Sequence, residues 1–547
     1  MSQNRGKTVR KRVLLLMSVA LSWLMLATLT AAGPASAGPA KTARFDAKRY
    51  LQTHGYLPLR GVATLERAKA NAAAIAAAIQ PAANLATAAT LRTPTIGAHW
   101  PGVATSNVSP PDANGAIGPN SYVEVVNQKM GIYTRAGSKL AGASLTTLSG
   151  HSGESDPMVL WDPHTQRFYY NVLNVNNAKM DWGYSKTANP TSIPGSFCNY
   201  ETSFNYSTSS IPDYPKLGQT KDFLMIGVNF YAGASSSQTT SSDILWVKKP
   251  QGTGAVTTCP SATSFGTGKI TGLLNEDGTQ AFTPTPAIQT DPSSTGYIMS
   301  MSDIECPPNC GTGTKLTVFT LTPNGSNPSV PQISAPDSIT VGSYTNPANA
   351  PQKNSVNTLD TLDTLDGRIT HAVSGFDPVA NATTVWVAHA VLGGAGAQVR
   401  RYEIKPTPQG SGTVVQSGSA TSSSLYSFNA GIQRPGVHGD IVLTRRFDGG
   451  GVHHIVLEHL PGHPDGVEGR DERTVRVRAG QAVRGRGQRV HMQPVPVGRL
   501  RRGHTGPGRQ RHGRPRRGMA DQPVDERRRH LQQRRQDVQL GGQAVVR

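Results

Sequence analysis

From Pro110 onward the chain runs in short stretches of apolar and polar residues, each closed by Gly, Pro, Asn or Asp. This is the mark of strands joined by tight turns. The pattern predicts strands at Tyr122–Asn127, Gly131–Thr134, Met158–Leu160, Phe168–Val172, Phe223–Asn229, Ile244–Lys248, Tyr297–Met301, Leu316–Leu321, Thr384–Ala390 and Val399–Ile404. Between two of them, Asp162-Pro163-His164-Thr165-Gln166 reads as a tight turn. Upstream the pattern changes. Residues 47–88 are Ala-rich, and Leu65-Glu66-Arg67-Ala68-Lys69 running on through Ala72 to Ile79 favours helix by intrinsic propensity. This segment reads as a propeptide or N-terminal arm, and residues 94–111 as a linker.

Strand groups open on Asp or its polar neighbours at Asp112, Asp156, Asp213, Pro284–Asp291, Asp366 and His438-Gly439-Asp440. Sheets repeated at this scale predict an all-β, six- or seven-bladed β-propeller-like fold over residues 105–449, with a helical arm in residues 38–104 before it.

Residues 1–37 read as a secretory signal: Arg5, Lys7, Arg10, Lys11 and Arg12, an apolar run, then Ala35-Ser36-Ala37 for cleavage. The expected product is secreted, free of the membrane after cleavage, and monomeric. Four cysteines in such a chain, Cys198, Cys259, Cys306 and Cys310, predict two disulfides. The formal charge of +20 is unevenly placed: the five signal cations and a net +12 in residues 450–547 leave +3 for residues 38–449. The body therefore carries no footprint for specific nucleic-acid binding.

Residues 450–547 contain 21 Arg and none of the chain's 33 aromatics, a composition that cannot supply a β core. A native disordered extension and a reading-frame error both account for it. Back-translation one nucleotide out of register favours the second, because Met492-Gln493 then forces a Cys codon and Met519-Ala520 a Trp codon. The tail is read as a frameshift product beginning between Phe447 and His453. On that reading His453, His454, His459 and His463 are not an evolved metal site.

Pro110-Pro111-Asp112-Ala113-Asn114-Gly115-Ala116-Ile117-Gly118-Pro119, followed by Tyr122–Asn127, Asp156-Pro157, Trp161-Asp162-Pro163 and Arg167-Phe168, resembles secreted bacterial β-propeller proteins of the sialidase-like, BNR-type superfamily. Leu359–Arg368 fits the same group, and the resemblance spans residues 105–445. It implies fold more than function, since most such proteins have no assigned activity. A Ser-x-Asp-x-Gly-x-x-Trp box is absent, and Arg is too sparse before residue 445 for a substrate-carboxylate triad.

In a propeller the first strand of each blade lines the central funnel, so Asp156, Asp213, Lys216, Asp366, Arg368, His371, His438 and Asp440 are expected to converge there. Paired carboxyl groups at its mouth could serve as acid and base on a glycosidic bond. The same residues could instead cap turns. Asp112 with Asn114, and the trio Asp360, Asp363 and Asp366, offer oxygen ligands that could hold calcium, although no complete calcium loop is present. No phosphate loop, HExxH or nucleophile-elbow motif occurs in the body, so no other cofactor is expected. Two functions follow: a propeller that binds a glycan or another extracellular component without catalysis, and a glycoside hydrolase or lyase using the funnel carboxylates. Whether the chain is an enzyme stays open at this point.

Overall fold

The computed structural model describes residues 45–78, 99–104 and 110–433 with short breaks (55, 105–109, 234, 237, 303, 305–310, 352–360, 408–409 and 411), then 441–447, 453–459 and 474–475. Residues 1–37 (read as a signal), Cys306, Cys310, Asp360, His438, Asp440 and most of the Arg-rich tail fall outside these residues.

Two helices open the described chain, α1 (Ala47–His54) and α2 (Val62–Ala78), joined by the irregular segment Tyr56–Gly61. Six groups of antiparallel strands follow in chain order as blades, two of them, the third and fifth, joined into one nine-stranded sheet. Blade one comprises Asn114–Ile117, Ser121–Val126, Lys129–Thr134 and Lys139–Ser144. Blade two comprises Glu154–Asp162, Arg167–Asn174, Lys179–Ser185 and Phe197–Thr202. Blade three comprises Ile211–Gln219, Phe223–Tyr231, Ser241–Lys248 and Thr267–Ile270. Blade four has Phe282–Pro286, Gly296–Met301 and Gly313–Pro323, the last pairing with both Pro331–Ile333 and Asp337–Tyr344. Blade five has Ile369–Asp377, Ala382–Val391, Gln398–Lys405 and Thr413–Ala420. Blade six has Tyr426–Gln433, Ile441–Phe447, His453–His459 and Thr474–Val475. The short strand Ile288–Gln289 pairs in parallel with the inner strands of blades three and five, so these inner strands run side by side in one direction.

The apolar faces meet between neighbouring blades. Val125, Ile132, Phe168 and Val172 pack blade one on blade two, and Leu160, Trp182, Leu224 and Leu245 pack blade two on blade three. Phe223, Trp246, Ile298 and Phe319 join three to four, Met299, Val318, Val385 and Tyr402 join four to five, and Val373, Trp386 and Ile432 join five to six. Such face-to-face stacking is the radial packing of a propeller: blades two to five are each sealed on both sides by their neighbours. Between blades two and three the seam is aromatic, with Trp182 stacked on Tyr200 at 4.6 Å and edge-on to Phe265 at 5.2 Å. The Cys198–Cys259 disulfide ties the outer strand of blade two to the loop before the last strand of blade three.

All ten strands read from the hydrophobic pattern are present, and Asp162 organises the expected turn by accepting from the His164 N–H at 3.0 Å and the Thr165 hydroxyl at 2.6 Å. The inner strand of blade six is Tyr426–Gln433, ahead of the position that His438 and Asp440 suggested. Strands His453–His459 and Thr474–Val475 continue past residue 449, where the sequence pattern ended the β-domain. Among the described residues no helix is long and apolar enough to cross a membrane.

Candidate functional site

A left-handed residue at or just before the inner strand recurs in five of the six blades, and a register slip in five. Asp112, Asp156, Tyr214, Thr283 and Asn429 have φ of 43°, 52°, 55°, 50° and 53°. Ladder register slips beside Asp156, Tyr214 and Thr283, between Ile369 and His371, and between Phe428 and Gly431. Left-handed non-glycine residues cost about 1–3 kcal/mol each and persist only where their surroundings over-determine them. Here Asn127 and Asn229 help to do so, each accepting at 2.8 Å the N–H of the strained residue in the next blade, Asp156 and Thr283 respectively. Proline follows the strained residue at Pro157, Pro215 and Pro284, where its missing N–H suits a broken ladder. The bulges re-aim side chains, and in blades two, three and five those side chains carry charge or an imidazole, to which the left-handed Asp112 ahead of blade one adds a carboxyl.

Asp112, Asp156, Asp213, Lys216 and His371 thereby form one electrostatic group. Burial first, then the charge of Asp156, pushes the Asp112 carboxyl up to about 7. Burial raises Asp156 to about 6 against the pull of the Ser155 hydroxyl and Lys216. Asp213 is pushed well above the usual carboxylate range by burial and then by Asp156. Burial also draws Lys216 down to about 8 and His371 down to about 4. Asp112, Tyr214, Lys216 and His371 are half-buried. Asp156 Oδ2 and Asp213 Oδ1 are buried without a hydrogen-bond partner among the described residues. Paired groups whose surroundings move their proton affinities into the neutral range are the raw material of acid–base chemistry.

A second layer closes over this group, and it comes from the arm. Arg368 is fully buried, grips Asp366 through two hydrogen bonds of 2.7 and 2.6 Å, and stacks against Tyr56, Tyr214 and Phe282 at 4.4, 4.5 and 4.7 Å. Leu57 donates its N–H to Asp213 Oδ2 at 2.8 Å and receives Arg368 Nη2 at 3.2 Å and the Tyr231 hydroxyl at 2.9 Å on its carbonyl. Tyr56 donates its hydroxyl to Asp363 at 2.6 Å, while Lys69 reaches Thr364 at 2.9 Å and Asp363 at 3.5 Å. Burial alone would raise the Asp363 carboxyl, but Lys69 and then Tyr56 hold it below the usual carboxylate range. Tyr56, Leu57 and Leu59 are buried, and each such side chain contributes about 1.5–3 kcal/mol to holding the arm in place.

The funnel thus brings together Asp112, Asp156, Asp213, Lys216 and His371, whereas Asp366 and Arg368 pair with each other. Asn114 faces elsewhere: its side-chain oxygen accepts the Val159 N–H at 2.8 Å and pins blade one to blade two, while Asp112 Oδ2 accepts from Asn127 at 2.6 Å. Asp363 serves the arm. The contribution of Tyr56, Leu57, Lys69 and Tyr231 was not foreseen from the pattern; the one available signal was a Tyr-Leu-Pro-Leu stretch too apolar for a solvated linker.

No family model matches the chain and no curated protein matches it. Among solved structures it is similar to a family-43 glycoside hydrolase described as a β-1,3-galactosidase with galactodeoxynojirimycin (9% identity, 55% of this chain and 92% of that one, TM-score 0.27). It is also similar to an ACO/RPE65 chimera (9% identity, 64% and 68%, TM-score 0.32). A thermostable family-43 glycoside hydrolase is a third neighbour (11% identity, 56% and 92%, TM-score 0.27). Scores this low carry no activity from those proteins to this one. The propeller architecture stands on the six blades and their seams, and a sialidase-like relative is not among these neighbours.

Proposed function

We propose that this chain is an extracellular β-propeller whose funnel binds a carbohydrate, with its own arm seated over the bottom of the site. The observation that supports this most directly is the accessible set Asp112, Lys216 and His371 set against the buried carboxyls of Asp156 and Asp213. Carboxyl acceptors and one cationic donor near enough to shift one another's proton affinities suit the vicinal hydroxyls of a sugar. The Cys198–Cys259 bond fits an oxidising compartment.

A second reading, glycoside hydrolysis, is favoured by one observation: Asp112 and Asp156 are held near 7 and 6. Near neutral pH one can then be protonated while the other is ionised, as an acid–base pair requires. The test is a glycan panel screened with the native chain and with a Tyr56→Ala variant that loosens the arm, following both binding and release of reducing ends. Binding that Asp112→Asn abolishes supports the first reading. Product release with a bell-shaped pH profile supports the second, and silence from both proteins on every glycan defeats both.

A further inference from the structure

Away from the funnel, blade two places two acids directly opposite each other. Asp181 and Glu201 are cross-strand partners in the pairing of Lys179–Ser185 with Phe197–Thr202. Like charges at facing positions destabilise a sheet unless something positive lies between them. His151 comes over this pair on the loop after Ser149, fixed there because the Ser149 hydroxyl oxygen accepts the His151 backbone N–H at 3.0 Å. Its Nδ1 lies 2.8 Å from Asp181 Oδ1 and 3.8 Å from Glu201 Oε1. One ligand atom from each of His151, Asp181 and Glu201 falls within 4.8 Å of the other two.

We propose that His151, Asp181 and Glu201 form a binding site for a divalent transition-metal ion, zinc being the best fit. Four-coordinate zinc holds nitrogen and oxygen ligands at about 2.0–2.2 Å, which separates neighbouring ligand atoms by about 3.3 Å. The distances of 2.8 and 3.8 Å bracket that value, so small side-chain rotations suffice. An independent observation points the same way: Asp181 is 1% exposed, and its second oxygen, Oδ2, has no hydrogen-bond partner among the described residues. A carboxylate oxygen kept from water and left without a donor has its lone pairs free for a cation. The site opens outward, since the His151 side chain is 40% exposed and that of Glu201 16%. Imidazole plus carboxylate oxygens select zinc or manganese over calcium, which prefers six or more oxygens. Lys179 pairs with Glu201 Oε2, and Asn177 donates to Oε1 at 3.1 Å, so both compete with an ion for that carboxylate. Removing Lys179 should therefore help the metal.

The test uses the full chain stripped with a chelator and titrated with Zn²⁺ alone against a chromophoric competitor, with Ca²⁺ as control. One equivalent of Zn²⁺ is expected to bind beyond whatever the remaining histidines take up. His151→Ala and Glu201→Gln should each weaken that equivalent at least tenfold, and Lys179→Ala should strengthen it. Zn²⁺ should raise the melting temperature of the native chain and not that of His151→Ala. His151 and Lys179 are partly exposed, so both variants are expected to fold, and their melts without metal verify this. Identical Zn²⁺ isotherms for the native chain and His151→Ala overturn the proposal, as does an affinity that Lys179→Ala leaves unchanged.

Discussion

The inner strands carry buried charge near both of their ends, and the two places are built on opposite terms. Toward the end of the inner strands of blades two and three, Lys249 meets Asp162 at 2.7 Å and Gln219 at 3.3 Å, with Lys249 and Asp162 both fully buried. Every Asp162 oxygen has a donor: His164, Thr165 or Lys249. Six residues earlier on the same strand, about 20 Å away at the usual strand rise, Asp156 leaves one oxygen unpaired and Asp213 does the same in the next blade. One group is closed and self-sufficient, the other unfinished. A satisfied ion pair joins two blades, whereas carboxyls kept apart from matching donors retain the capacity to take up a proton or a ligand.

Breaking the satisfied end should have the largest effect. Lys249→Met leaves Asp162 buried without its cation and is expected to cost about 3–5 kcal/mol in denaturant unfolding. A cost under about 1 kcal/mol would mean that water reaches Asp162.

The unfinished end should respond chiefly to pH. The Asp112 and Asp156 carboxyls are raised to about 7 and 6, above an unfolded value near 3.9. The folded chain therefore keeps protons that the unfolded chain has released, and their contribution to stability is lost as pH rises from about 4 to about 7. His371 and His389, both lowered to about 4, act in the opposite sense, destabilising the fold as pH falls below about 6.5. Asp112→Asn isolates the carboxyl contribution: relative to the native chain it should gain roughly 1–3 kcal/mol between pH 5 and pH 8. Parallel stability curves for the two proteins would refute the assignment.

The smallest effect is expected at the arm. Tyr56→Phe removes only the hydrogen bond to Asp363 and should cost about 1–2 kcal/mol. Hydrogen exchange at α1 and α2 should report that loss more strongly than at the blades, because the change loosens the arm without touching the seams.

Much of this architecture was legible in the residues. Second strands such as Phe223–Tyr231 and Ala382–Val391 are packed on both sides and read as apolar runs. Inner strands such as Ile211–Gln219 and Phe282–Pro286 were visible only through their polar residues, since the strained residue and following proline interrupt the alternation. Outer strands such as Thr413–Ala420 are largely exposed and lack an apolar signature. Asp156, Asp213, Lys216 and His371 were found because the same position recurs from blade to blade. The docking of the arm left little trace, because it works through the Leu57 backbone and through partners far along the chain.

That last feature has a temporal side. Tyr56 and Asp363 are separated by 307 positions, and Leu57 and Asp213 by 156. Since the chain is synthesised from its N-terminus, the arm is made long before the partners that hold it. It must wait, with Tyr56, Leu57 and Leu59 uncovered, until the strands before Arg368 have emerged and assembled. Docking of the arm is thus a record of completed assembly: a molecule whose fifth sheet has gone astray has nowhere to put its own beginning.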